Sequence, residues 1–176
     1  MSTTNLQSAP VFSKICFRQL VEYSFAKNFE DKLALIDNEE LNICNNIEVD
    51  FIALLFCTHG NIELDINNEH YFMGTNDMFY CSYGTLLHHI SFSTGCRVKA
   101  LCVSVEYAKR LFMRSNCCWE NVVYAKHYPL IYLRPNEQQL VRAYYQLFTA
   151  KVNSYGFAPS KNDIPGIYNR LLLNIL

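Results

Sequence analysis

Histidine is the residue type in this sequence best suited to bind a metal ion, and His88 and His89 are adjacent. A metal site needs three or more such ligands, imidazoles or carboxylates, that converge on one point. Both residues fall in a segment of strand character, where successive side chains point to opposite faces. His59 and His70 lie on or next to predicted turns, and His127 is remote. We therefore predict no metal ligands and no cofactor.

The motifs that would indicate an enzyme are not found. The sequence has no nucleophile elbow, no glycine-rich phosphate loop and no dinucleotide fingerprint, and its six glycines are assigned to turns. Glu63 and Asp65 alternate with apolar residues, which is typical of the solvent face of a strand. The sequence therefore predicts no catalytic residues and no enzyme activity.

Composition limits the partners and the compartment. Fifteen Lys and Arg against sixteen Asp and Glu give a net charge of −1, whereas duplex-binding domains carry a basic excess. The longest charge-free apolar run, 51–57, is too short for a membrane helix, and residues 1–10 lack the profile of a signal peptide. The eight cysteines form no C-x-x-C pair, so we interpret them as reduced thiols. We expect a cytoplasmic protein without a membrane partner.

A block of short strands at 51–104 must position most of the chain. Six apolar or alternating segments are separated by turns rich in Gly and Asn, which indicates an antiparallel barrel. The segments are 51–57, 62–66, 70–73, 78–83, 87–92 and 97–104. Segment 51–57 is apolar throughout, as in a strand covered on both faces. Segments 33–36 and 41–44 are predicted to add strands, whereas 11–29 fits strand, loop or helix.

Helical periods follow the strands. A short helix is predicted near 105–115 with Ser104 as its cap, and a long one at 135–154. A last helix begins near 162–166 and runs to Leu176. The stripe on the long helix is either plain core or the interface of a homodimer. The interface residues would be Leu140, Val141, Tyr144, Leu147 and Phe148.

Aromatic residues are dense in and near the predicted barrel. Barrels of this size either fill with side chains or hold one small ligand, so these residues form a pocket or simply the core. The candidate ligand pocket consists of Phe56, Phe72, Tyr80, Tyr83, His88 and Trp119.

The run YFMGTNDMFYCSYG at 71–84, with His88 beyond it, resembles the half-barrel pattern of cupins. Together with the hairpin around Gly60, the order of elements is similar to the N-terminal domain of AraC-type transcriptional regulators over residues 30–176. The resemblance implies a mainly β fold with C-terminal helices. Residues 1–30 would be a tail and first strands, 31–133 a cupin-like, double-stranded β-helix barrel, and 134–176 a helical pair.

This resemblance also implies a function. The chain would be the effector-binding and dimerisation domain of a bacterial AraC-family regulator, pairing through the 135–154 helix and taking a small-molecule effector. DNA would be bound only by a helix-turn-helix domain beyond Leu176, where the sequence stops in mid-pattern. Metal-binding cupins carry a His-x-His set where this chain has Ile66 and Asn68, and Ser82 replaces an expected proline. Two alternatives stay open, a metal-dependent cupin isomerase or dioxygenase and a stand-alone cupin-like binding protein.

Overall fold

The computed structural model describes residues 12–22, 26–29, 32–38, 46–112 and 119–153. The strands in these ranges are β1 (Ser13–Cys16), β2 (Ala26–Phe29), β3 (Leu33–Asn38), β4 (Ile47–Asp50), β5 (Ile52–His59), β6 (Ile62–Ile66), β7 (Glu69–Met73), β8 (Met78–Cys81), β9 (Leu86–Phe92), β10 (Arg97–Val103) and β11 (Leu130–Ile131). The helices are α1 (Phe17–Glu22), α2 (Val105–Phe112), α3 (Trp119–His127) and α4 (Pro135–Asn153). The fold is mainly β, as predicted.

A six-stranded sheet in the order β11-β8-β5-β10-β3-β2 forms the centre of the molecule. Its strands pair antiparallel, and their side chains alternate between two separate apolar clusters. On β5, Leu54 and Phe56 point into one cluster, whereas Ala53 and Cys57 point into the other. The prediction of a strand covered on both faces is confirmed for β5.

A five-stranded sheet in the order β1-β4-β9-β6-β7 covers one face of the central sheet. Ile62, Leu64 and Ile66 of β6 pack there against Phe79 and Cys81 of β8. We call this cluster the inter-sheet core. The described strands form two separate sheets, and closure into a barrel stays a prediction.

Helices α2, α3 and α4 cover the other face of the central sheet, as the period change after Ser104 indicates, whereas Phe17 and Leu20 of α1 belong to the inter-sheet core. We call the cluster that they complete the helix-side core. Its helical members are Tyr107 and Ala108 of α2, Ala125 of α3, and Val141 and Phe148 of α4. Phe148 is completely buried, so α4 is anchored by one large aromatic side chain.

Local signals in the sequence explain three of the element boundaries. Asn67 and Asn68 have φ angles of 51° and 71°, as the tight turn between β6 and β7 requires. Ser104 Oγ accepts a 3.4 Å hydrogen bond from the Tyr107 amide and caps α2. Glu137 Oε2 accepts a 2.6 Å bond from the Arg134 amide at the start of α4.

Other segments differ from the sequence interpretation or lie beyond it. The region 11–29, which the sequence left ambiguous, contains β1, α1 and β2, and α3 is an element that the sequence patterns do not predict. The predicted strand at 41–44 and the last helix near 162–176 lie outside the described residues.

Each described cysteine is a free thiol. None of the described helices is long and apolar enough to cross a membrane.

Replacement of Phe148 by alanine tests how α4 is anchored. Removing a fully buried aromatic ring costs the transfer free energy of the ring and leaves a cavity, so Phe148→Ala should lower the free energy of unfolding by about 3–5 kcal/mol. Leu147→Ala is the matched control, because Leu147 is 41% exposed. Urea denaturation would measure both variants. Equal losses in the two variants would contradict this packing of α4.

Candidate functional site

A small cleft lies between the central sheet and α4. Its sheet side is formed by β5, β8 and β10 and its helix side by α4, and its lining residues are Leu54, Phe56, Met78, Lys99, Leu101, Val141, Tyr145 and Phe148. The cleft has a volume of about 20 Å³, which is roughly the room of one water molecule. A larger ligand would have to displace α4 from the sheet.

Polar contacts hold α4 at both rims of this cleft. The Tyr145 hydroxyl donates a 2.8 Å hydrogen bond to the carbonyl oxygen of Ile36 on β3. Lys99 Nζ lies 4.6 Å from the centre of the Tyr145 ring and 2.7 Å from an Asp37 carboxylate oxygen. Burial raises the pKa of Tyr145, so its hydroxyl stays a donor at neutral pH.

Arg142 fastens the other side of α4. Its guanidinium lies 5.3 Å from the centre of the Phe56 ring and donates a hydrogen bond to the side chain of Asn76. Asn76 belongs to the turn between β7 and β8. The helix is therefore tied to the central sheet by aromatic, cationic and hydrogen-bonding contacts around one apolar cleft.

Tyr80 supplies a buried polar group on the same face of the central sheet. Its side chain is 2% exposed, and its hydroxyl has no hydrogen-bond partner among the described residues. Burial raises the pKa of Tyr80 to about 12, so the hydroxyl is neutral and able to donate. Met78, two residues before it on β8, lines the cleft. An unpaired donor in this position fits a group that a ligand would satisfy.

The structure brings only part of the predicted pocket together. Phe56 and Tyr80 both belong to the helix-side core, not to the space between the sheets. Phe72 and Tyr83 are 50% and 52% exposed, on β7 and on the turn after β8. His88 lies on β9 of the five-stranded sheet. Trp119 begins α3, and its side chain lies outside what the structure describes.

The predicted dimer stripe on α4 divides into two faces. Val141 and Phe148 are buried in the helix-side core. Leu140 and Tyr144 are half-buried, Tyr144 partly against the same core, and Leu147 is exposed. The three residues lie at the i, i+4, i+7 spacing of one narrow strip. We call Leu140, Tyr144 and Leu147 the α4 strip.

The two adjacent histidines lie at a bulge in β9, which the sequence analysis did not predict. The pairing of β6 with β9 shifts between Glu63 and Asp65, so that two residues of β9 oppose one of β6. His89 has a φ of 50°, in the left-handed region. Both imidazoles therefore reach Asp65 on the outer face of the sheet. The expectation that adjacent strand residues cannot approach one ion is wrong for this pair.

Asp65 is the centre of this second group of polar residues. Hydrogen bonds from His89 and then from His70 hold the pKa of its carboxyl below the usual range. Three histidines thus surround one ionised carboxylate, a combination that the sequence places at separate positions. A positive φ at a histidine leaves no clear signal in one sequence, whereas the Asp65 alternation does indicate the outer face.

Replacement of Tyr80 by phenylalanine tests the unpaired hydroxyl. A buried hydroxyl without a partner carries its full desolvation cost, so Tyr80→Phe should raise the free energy of unfolding by about 1 kcal/mol. Tyr107→Phe is the control, because it removes the hydroxyl of another buried tyrosine in the same core. Denaturant unfolding would measure both. A loss of stability in Tyr80→Phe would show that the hydroxyl is satisfied, against this description.

Comparisons with known proteins give fold-level neighbours. No protein-family model matches the chain, and no curated protein matches it. Solved structures similar to the chain include AraC-like regulators and cupin proteins. The AraC-like transcriptional activator CuxR shares 11% identity over 80% of this chain and 45% of its own, with a TM-score of 0.49.

ToxT K231A from Vibrio cholerae shares 10% identity over 81% of this chain and 54% of its own, with a TM-score of 0.49. KdgF from Halomonas sp. shares 14% identity over 41% of this chain and 68% of its own, with a TM-score of 0.33. The chain thus spans about half of the length of the two regulator structures.

Proposed function

We propose that this chain is the regulatory domain of an AraC-type transcriptional regulator, which binds a small effector and forms a homodimer through α4. The observation that carries the proposal is the position of α4. One edge of the helix lines the cleft through Val141, Tyr145 and Phe148, and a neighbouring edge presents the α4 strip. The same helix therefore contacts a candidate ligand site and a candidate subunit interface.

The cleft suits a small, mainly apolar effector with one hydrogen-bonding group. Apolar side chains form most of its lining, and Lys99 lies at its rim. The unpaired hydroxyl of Tyr80 lies on the same sheet face and would donate to an acceptor of the effector. Such a ligand gains the hydrogen bond that the free protein lacks, which favours the open cleft over the closed one.

Ligand entry would be coupled to dimer geometry through the helix. At about 20 Å³ the cleft has no room for an effector, so binding requires α4 to move away from β5 and β10. Displacement of α4 carries the α4 strip with it and changes how two subunits pair. The coupling is reciprocal, so dimerisation would also change effector affinity. DNA contact would belong to a further domain of the full-length protein.

Leu147→Asp tests the dimer interface. A charge buried in an apolar interface is costly to desolvate, so this variant of the exposed Leu147 should shift the chain from dimer to monomer at concentrations where the parent is dimeric. Light scattering coupled to size-exclusion chromatography would measure the molar mass. The circular dichroism spectrum should stay that of the parent, because Leu147 contributes little to the core.

Gln146→Asp is the matched control for this test. It places the same charge on the same helix, one residue away on an exposed side outside the α4 strip. The control should remain a dimer. A monomeric parent chain, or equal dissociation of both variants, would overturn pairing through the α4 strip.

A further inference from the structure

We propose that Asp65, His88 and His89 form a binding site for one divalent transition-metal ion of the zinc class, with His70 orienting the carboxylate. The site lies on the outer face of the five-stranded sheet, away from the cleft under α4. The residues come from three neighbouring strands, β6, β7 and β9. The inference is independent of the proposed regulatory function.

The distances between the potential ligand atoms fit a single ion. The Nδ1 atoms of His88 and His89 are 3.2 Å apart. Oδ2 of Asp65 lies 2.7 Å from Nδ1 of His89 and 3.6 Å from Nδ1 of His88. Zinc bonds of about 2.0–2.1 Å place tetrahedral ligand atoms roughly 3.3 Å apart. Small side-chain rotations would therefore bring the three atoms around one ion, with a fourth position left for water.

Hydrogen bonding alone leaves this group poorly satisfied. A carboxylate only accepts, so the proton between Asp65 and His89 belongs to Nδ1 of His89. Nδ1 of His89 then offers no lone pair to a proton on Nδ1 of His88. The ring proton of His88 therefore belongs on its Nε2. Nε2 of His88 is buried without a hydrogen-bond partner among the described residues. A cation between the three atoms would bind the Nδ1 lone pairs of both histidines once the Nδ1 proton of His89 has moved to Nε2 of the same exposed ring. Nε2 of His88 keeps its proton in either state.

His70 has the position of a supporting residue. Its Nδ1 lies 2.8 Å from Oδ1 of Asp65, the oxygen that does not face the other two imidazoles. Carboxylates that bind metals are commonly held by such a second hydrogen bond. The side chains of His70 and His89 are 67% and 76% exposed, so an ion can enter from solvent. His88 is nearly buried and packs edge-to-face with the Phe12 ring, which fixes its orientation.

The ligand types select the class of metal. Two imidazoles with one carboxylate suit zinc, nickel or copper, whereas calcium and magnesium require mainly oxygen ligands. Stabilisation of the β6–β9 strand pair is the expected consequence, because the ion would join these two strands across the bulge.

Zinc titration of the metal-stripped chain tests the proposal. Calorimetry at neutral pH should show one zinc ion bound per chain, and zinc in excess should raise the melting temperature, since it binds the folded state. His89→Asn removes one ligand but keeps the positive φ, which asparagine tolerates. It should weaken zinc binding at least about tenfold, and His70→Ala should weaken it about 10–100-fold.

His59→Ala is the matched control, because this exposed histidine at the end of β5 lies outside the group. Its zinc affinity should equal that of the parent. Circular dichroism without metal checks that the His89→Asn variant is folded. If it is not, the zinc affinity of His70→Ala, a variant at an exposed position, decides the test. Cobalt in place of zinc shows thiolate absorption only if cysteines bind it. The proposal would be overturned by any of three results: no zinc binding by the parent chain, unchanged zinc affinity in both His89→Asn and His70→Ala, or thiolate absorption with cobalt.

Discussion

Burial of the central sheet on both faces is the constraint on which the rest of the structure depends. A sheet strand alternates its side chains, so every second residue of β5, β8 and β10 faces the other sheet and the residues between them face the helices. Both sets must be apolar, which explains why residues 51–57 carry no charge. Neither the five-stranded sheet nor the helices can be removed without exposing one of these two faces to water.

This arrangement separates two kinds of site. The inter-sheet core is filled by side chains and includes five residues of the central strands β5, β8 and β10 that are completely or almost completely buried: Cys57, Phe79, Cys81, Val98 and Cys102. The helix-side core is closed by α4, whose contacts combine one buried aromatic ring with polar groups at the rim. The proposed opening of the cleft requires these polar rim contacts to be exchanged for contacts with water. The His and Asp group is on the remaining surface, where strand pairing, the bulge at His89 and the Phe12 ring position it.

The sequence predicts the strands and α4 well because their periods are set by burial. The alternation at 62–66 and the stripe on α4 each follow from one face meeting a core. The double asparagine turn is predicted because asparagine tolerates the positive φ that the turn requires. The candidate sites were predicted less well. A pattern of period two cannot say which of two cores a residue enters, so the sequence does not indicate that Phe56 and Tyr80 face the helices. The bulge at His89 breaks the period itself, so the meeting of His88, His89 and Asp65 could not be read from alternation.

Helix α4 and the central sheet form one folded unit, closed over the cleft in the absence of ligand. Native-state hydrogen exchange on the whole chain tests it most directly, because exchange reports the free energy of local opening. We expect the amides of α4 near Val141 and Phe148 to be protected, with an opening free energy between that of the exposed turns and that of β5 and β10. Exchange of these amides at the rate of an unfolded peptide, with β5 and β10 still protected, would contradict it.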